Sequence, residues 1–129
     1  MKILIIEDDL ELREELKVLL DNNGYQGIIL KDFKNALEEI LVIDPDLILL
    51  DIKIPFLNGQ QLLKKLREKS TIPVIMVTSK DSEIDEILAL SYGADDYITK
   101  PYNPTILLLH IEAVFKRLHK AEPKLTYSK

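Results

Sequence analysis

The chain alternates short blocks that are apolar throughout with longer stretches in which apolar positions recur every three or four residues. Ile3-Leu4-Ile5-Ile6, Leu47-Ile48-Leu49-Leu50 and Val74-Ile75-Met76-Val77 are the clearest blocks. A run without polar interruption suits a strand buried on both faces, and its alternation with amphipathic segments is the pattern of βαβ units around a parallel sheet. The pattern predicts strands near 2–6, 26–30, 46–50, 73–77 and 95–98, and helices near 9–22, 33–43, 59–69, 82–92 and 103–120. Local chemistry agrees at several ends. Asp9 suits an N-cap, Gly24 follows the first helix, Pro45 and Pro73 precede strands, and Asn103-Pro104 reads as an N-cap with proline at N1. One α/β domain over residues 1–120 is expected, with 121–129 as a tail or the start of a linker.

On the last predicted helix, Leu107, Leu108, Ile111, Val114, Phe115 and Leu118 share one face, which reads as the core stripe. Ile106, Leu109 and Ala113 fall on the opposite face, and apolar residues outside the core stripe mark a partner surface. His110 and His119 have no metal-ligand partners at suitable spacing and read as surface residues; the cluster Lys64, Lys65, Arg67, Glu68 and Lys69 reads as a solvated helix face.

Composition narrows the function. The 129 residues include no cysteine, which removes disulfide and thiol chemistry. No apolar stretch approaches the roughly 20 residues needed to cross a bilayer, so a cytoplasmic protein is expected, without a membrane partner. A net charge of −5, with 17 basic residues dispersed along the chain, argues against this segment gripping nucleic acid by itself.

The candidate chemistry lies at the strand ends. Glu7 and Asp8 follow the first apolar block and Asp51 follows the third predicted strand. Parallel strands side by side would gather these carboxylates at their C-terminal ends, where open α/β sheets bind ligands. Crowded carboxylates favour a hard divalent cation such as Mg²⁺. Thr78 closes the fourth strand and Lys100 lies just past the fifth. Metal, hydroxyl and ammonium together suit a phosphoryl group, whose oxygens carry negative charge.

With Glu7-Asp8, Asp51, Pro55, Gly59, Thr78 and the run Gly93-Ala94-Asp95-Asp96-Tyr97-Ile98-Thr99-Lys100-Pro101 in this order, residues 1–120 resemble the CheY-like receiver domain of two-component response regulators. The stretch Gly93 to Pro101 is most similar to the OmpR/PhoB-like regulators, which join a receiver to a winged-helix DNA-binding domain. The resemblance implies a (βα)5 flavodoxin-like fold with five parallel strands in the order 2-1-3-4-5 and helices on both faces. It implies that Asp51 accepts a phosphoryl group from a sensor histidine kinase. Asp8, Asp51 and the backbone carbonyl of Lys53 would bind Mg²⁺, with Glu7 acting mainly through water. Thr78 and Lys100 would bind phosphoryl oxygens, Pro101 would follow a cis peptide bond, and Tyr97 would be a rotamer switch moving with Thr78. Such a domain is a switch that catalyses only its own phosphorylation and dephosphorylation, and it would reach DNA only through a C-terminal domain.

The chain departs from that pattern in places. Lys53 stands where an uncharged residue is common, within reach of the acid pocket, and Phe56 stands where glycine is frequent. Receivers of the resembled subfamily dimerise through helix 4, strand 5 and helix 5 by charge pairs. Here Glu86 holds a usually basic position, Ile106 a usually acidic one and His110 a usual arginine, while Asp96 and Arg117 remain. A homodimer more apolar than usual, or a different protein partner, is therefore expected on that surface. A pseudo-receiver that is never phosphorylated remains an alternative, with Lys53 in its favour. So does a Mg²⁺-dependent phosphatase or phosphotransferase, against which stand Lys53 in place of a second acid and the lack of room for a substrate cap.

Overall fold

A computed structural model of the chain describes residues 1–79 and 89–121. Its strands are β1 (Lys2–Ile6), β2 (Gln26–Ile29), β3 (Leu47–Leu50), β4 (Val74–Thr78) and β5 (Asp96–Thr99), all parallel and ordered β2-β1-β3-β4-β5. The helices are α1 (Leu10–Asp21), α2 (Ala36–Ile43), α3 (Gly59–Arg67) and a C-terminal helix (Pro104–Ala121). The flavodoxin-like expectation and its strand order are borne out.

Residue alternation along the apolar blocks builds the two layers. Leu4, Ile6, Ile48, Leu50, Val74 and Met76 face one side, where Ala36 and Ile40 of α2 and Leu62, Leu63 and Leu66 of α3 cover them. Ile3, Ile5, Leu47, Leu49, Ile75 and Val77 face the other, against Leu16 and Leu20 of α1 and Leu107, Ile111 and Val114 of the C-terminal helix. Successive strand residues point to opposite faces, so a block without polar positions is what a sheet covered on both sides requires. Each such side chain contributes about 1.5–3 kcal/mol by leaving water.

The helix starts are capped as their residues suggest. Asp9 accepts from the backbone N–H of Glu11 and Leu12, Asn58 from that of Gln61 and Asn103 from that of Thr105. The predicted helix at 33–43 is divided. Asp32 accepts from the Asn35 N–H and closes a 3-10 turn over Phe33–Asn35, and the α-helix begins only at Ala36. Of the helix predicted at 82–92, residues 82–88 lie outside the described residues and 89–91 are helical. Of the predicted tail at 121–129, Ala121 ends the C-terminal helix and 122–129 lie outside the described residues. Leu118 departs from the expected core stripe, since it is 39% exposed and lies beyond the last buried turn at Val114.

Candidate functional site

The sheet register assembles the site. Ile6 pairs with Leu50, and the Asp51 N–H donates to the Ile6 carbonyl at 3.1 Å, so Glu7 and Asp51 leave neighbouring strands at the same level. Both are buried, at 4% and 7% exposure, whereas Asp8 is exposed. One carboxylate oxygen from each of Glu7, Asp8 and Asp51 lies within 4.8 Å of the others.

Lys100 closes the cluster from the end of β5. Its ammonium donates to Glu7 Oε1 at 2.6 Å and to Asp51 Oδ2 at 3.0 Å. The other Asp51 oxygen, Oδ1, accepts from the Lys53 backbone N–H at 3.3 Å. Burial pushes the Glu7 carboxyl above its ordinary range, and the nearby Asp51 charge adds to this against the hydrogen bonds from Lys100 and Asp9. Burial opposes the charge on Lys100 too, but its bonds to Glu7 and Asp51 outweigh that and hold its pKa up. Three acids against one ammonium leave a negative site of hard oxygen donors, which fits Mg²⁺.

The loop after Asp51 is folded tightly onto it. Gly59 donates to the Ile52 carbonyl at 2.6 Å, and a Cβ at Gly59 would lie 2.1 Å from the Asp51 carbonyl oxygen. Only glycine allows that approach. Within the loop the Leu57 N–H donates to the Pro55 carbonyl, and Phe56 adopts φ +74° while 77% exposed. Lys53 is exposed and in no ion pair among the described residues, so its ammonium is not drawn into the acid pocket.

The other expected residues fall at the same end of the sheet. Thr78 is the last residue of β4, paired in register with Thr99, and its side chain lies outside the described residues. The Lys100–Pro101 peptide is cis. Tyr97 is half-buried against the α2/α3 layer. Tyr102, beyond Pro101, lines a cleft of about 760 Å³ with Leu12, Leu16 and Leu19 of α1; burial there pushes its hydroxyl up to about 12, helped by the charges of Glu7 and Glu15.

On the expected partner surface, Ile106, Leu109 and Ala113 are exposed. Two polar residues there are already engaged within the chain. His110 Nδ1 lies 2.7 Å from Asp96 Oδ2, and Arg117 donates to the Asp95 carbonyl at 3.0 Å. His110 is thus a half-buried, paired residue rather than a free surface one. Glu86 lies outside the described residues.

Arg67 corrects the reading of its cluster as a solvated face. Its guanidinium donates to the carbonyls of Gly93 at 2.9 Å and Ile72 at 2.7 Å, and lies 3.3 Å from Asp95, whose same oxygen accepts from the Val74 N–H. It ties the end of α3 to the entrances of β4 and β5. The signal was present in the Gly93-Ala94-Asp95 run, but a carbonyl acceptor leaves no mark in a sequence.

Comparisons with known proteins agree with this arrangement. The family model "Response regulator receiver domain" matches residues 3–112. The sensory transduction protein RegX3 of Mycolicibacterium smegmatis is 43% identical over 115 residues, covering 89% of this chain and 50% of that protein. The transcriptional regulatory protein CpxR of Escherichia coli is 44% identical over 121 residues, covering 94% and 52%. The chain thus spans about half the length of these relatives. The N-terminal receiver domain of Klebsiella pneumoniae RstA superposes with a TM-score of 0.83 at 34% identity, covering 88% of this chain and 97% of that one. A two-component response regulator from Clostridium difficile gives 0.86 at 32% identity, covering 92% and 98%. Likeness of this extent in both sequence and fold means that the chain belongs to the receiver domains of two-component response regulators.

Proposed function

We propose that Asp51 is the phosphoacceptor of a signalling switch charged by a sensor histidine kinase. The observation that carries this reading is the Lys100 ammonium bridging Glu7 and Asp51 in a buried pocket beside Asp8. An Asp51 carboxylate oxygen attacks phosphorus as the phosphorus–nitrogen bond of a phosphohistidine breaks, the bonding pair returns to the imidazole, and an aspartyl phosphate is left. Lys100 moves from Asp51 to a phosphoryl oxygen, and the Thr78 hydroxyl donates to another. Glu7, Asp8, Asp51 and the Lys53 carbonyl are the groups that would hold Mg²⁺, which when bound neutralises charge on the phosphoryl oxygens. Hydrolysis of the acyl phosphate resets the switch, so the domain catalyses its own charging and discharge and has no other substrate.

The switch leads through Thr78 and Tyr97 to the surface bearing Asp96, Ile106, Leu109, His110, Ala113 and Arg117. We place a homodimer contact there, apolar at its centre. Residues 1–120 form the receiver, and 121–129 lead to a C-terminal effector domain that binds DNA in a cytoplasmic transcription regulator. Support for this comes from the named roles of RegX3 and CpxR and from the half-length match to them. Among the described residues no helix is long and apolar enough to cross a membrane.

Intact-mass spectrometry after incubation with acetyl phosphate tests the reading. A gain of one phosphoryl that requires Mg²⁺ and is absent in Asp51→Asn is the expected result. No gain in the wild-type chain overturns it and favours the pseudo-receiver.

A further inference from the structure

His110 is a titratable residue set into the apolar face that carries Ile106, Leu109 and Ala113. Its Nδ1 lies 2.7 Å from Asp96 Oδ2. An ionised carboxylate only accepts, so the ring keeps a proton on Nδ1 whether it is neutral or charged, and Nε2 is the atom that gains or loses one. Histidine side chains do so between about pH 5 and 8.

The surroundings leave the charge of this spot to that pair. One turn away on the same helix stand Ile106, Leu107, Ala113 and Val114, all apolar. Beneath the helix, β4 and β5 present Ile75, Val77 and Ile98, and α1 presents Leu16 and Leu20. The tyrosines of this layer are engaged elsewhere: Tyr25 meets Phe115 and feels the charge of Glu112, and Tyr102 lines the cleft with Leu12. Arg117 donates to the Asp95 carbonyl, and the Asp95 carboxylate takes Arg67 and the Val74 N–H. Among the described residues, Asp96 is thus the charged group in contact with His110, and Glu86 lies outside them.

The pair carries one net negative charge with His110 neutral and none with it protonated. Covering the face with a second copy takes two such pairs out of water, one from each protomer. Uncompensated carboxylates resist that transfer, whereas a carboxylate hydrogen-bonded to an imidazolium cancels much of its own field. Repulsion between two chains of net charge −5 adds to the difference.

Resting on the homodimer reading above, we infer that His110 is a proton-operated control on that contact: a second copy binds the face when His110 is protonated and is held off when it is neutral. A permanently charged side chain here would neutralise Asp96 at every pH. Histidine makes the neutralisation conditional, and dimer formation takes up protons, so association strengthens as pH falls.

Sedimentation equilibrium of the full chain between pH 8 and 6 tests this, at fixed salt, with and without acetyl phosphate and Mg²⁺, and with intact mass giving the phosphorylated fraction at each pH. The wild-type dimer constant, corrected for that fraction, should tighten about tenfold or more over the range. His110→Arg should hold a tight dimer and His110→Gln a weak one, each changing less than about threefold with pH. Asp96→Asn should reverse the trend, because the proton then leaves an unpaired imidazolium in the contact, and His119→Gln should keep the wild-type trend. A wild-type dimer that does not respond to pH overturns the inference alone. A wild-type slope that survives in His110→Gln or Asp96→Asn overturns it too, since charge elsewhere on the chain would then be responsible. A chain that is monomeric at every pH, phosphorylated or not, overturns the dimer reading and this inference with it.

Discussion

Asp96 and His110 are hydrogen-bonded within one chain, with Oδ2 and Nδ1 2.7 Å apart across the gap between β5 and the C-terminal helix. Asp96 is one of the acids left on the expected dimer surface, and here its carboxylate is already hydrogen-bonded. Arg117 is likewise turned back, onto the Asp95 carbonyl. What the surface offers a partner is apolar: Leu109 at 53% exposure, Ile106 at 45% and Ala113.

The dimer should therefore be insensitive to salt. After charging with acetyl phosphate and Mg²⁺, sedimentation equilibrium is expected to give an unchanged or tighter dimer as salt rises from about 0.1 to 1 M, because screening weakens only exposed charge pairs. Leu109→Glu should weaken association at least tenfold, or about 1.4 kcal/mol. A wild-type chain that stays monomeric in both phosphorylation states refutes the interface.

Lys100 holds two buried carboxylates together, so its removal should be felt first in stability. Lys100→Ala is expected to lower the unfolding free energy by about 3–5 kcal/mol without Mg²⁺, the cost of leaving buried charge unpaired. Saturating Mg²⁺ should restore a large part of it, since binding to the folded state alone stabilises by mass action. Denaturant unfolding of the variant with and without the cation checks this, and a variant that gains no stability from Mg²⁺ would show that the acids do not hold the metal.

Lys53 has its amide on Asp51 and its ammonium in solvent. Substitution by methionine removes a positive charge near an acidic site, so Mg²⁺ should bind about two- to fivefold tighter at low ionic strength, with the difference fading in salt. The phosphoryl lifetime should change as well. Titration calorimetry and the decay of the phosphorylated mass measure the two effects, and identical values in both proteins would dismiss Lys53 as a modulator.

Tyr102 makes a prediction at high pH. Its hydroxyl titrates near 12 in the folded chain, against 10.0 when unfolded, mainly because burial disfavours the phenolate. Below pH 10 both states keep the proton and nothing is gained or lost. Between 10 and 12 only the unfolded state gives it up, so stability falls as pH rises. Two units at about 1.4 kcal/mol each set an upper bound of about 3 kcal/mol, and partial exposure of the ring reduces it to roughly 1–2. Tyr102→Phe should lack this component, so the stability difference between the two proteins should shrink or reverse from pH 9 to 12. A difference that stays flat contradicts it.

The sheet, its order through the family resemblance, the caps at Asp9 and Asn103 and the grouping of Glu7, Asp8, Asp51 and Lys100 were all legible from sequence. They rest on local composition and on residues at strand ends, which parallel pairing must bring together. Less legible were features made by backbone acceptors and distant partners. Arg67 looked solvated because the Gly93 carbonyl that holds it is 26 residues away. His110 looked like a free surface residue because its partner Asp96 lies on another element. Leu118 fits the helical period but is 39% exposed, a turn past the last buried residue Val114. The positive φ of Phe56 left only an indirect mark, the glycine frequent at that place in the resembled family, since phenylalanine itself gives no sign of it.

The register between β1 and β3 has one more consequence. Sliding either strand by a single residue would exchange the two core layers and, in the same movement, set Glu7 and Asp51 at different heights. Correct strand pairing and an assembled acid site are therefore the same structural event, so the register that closes the core is also the one that gathers the acids.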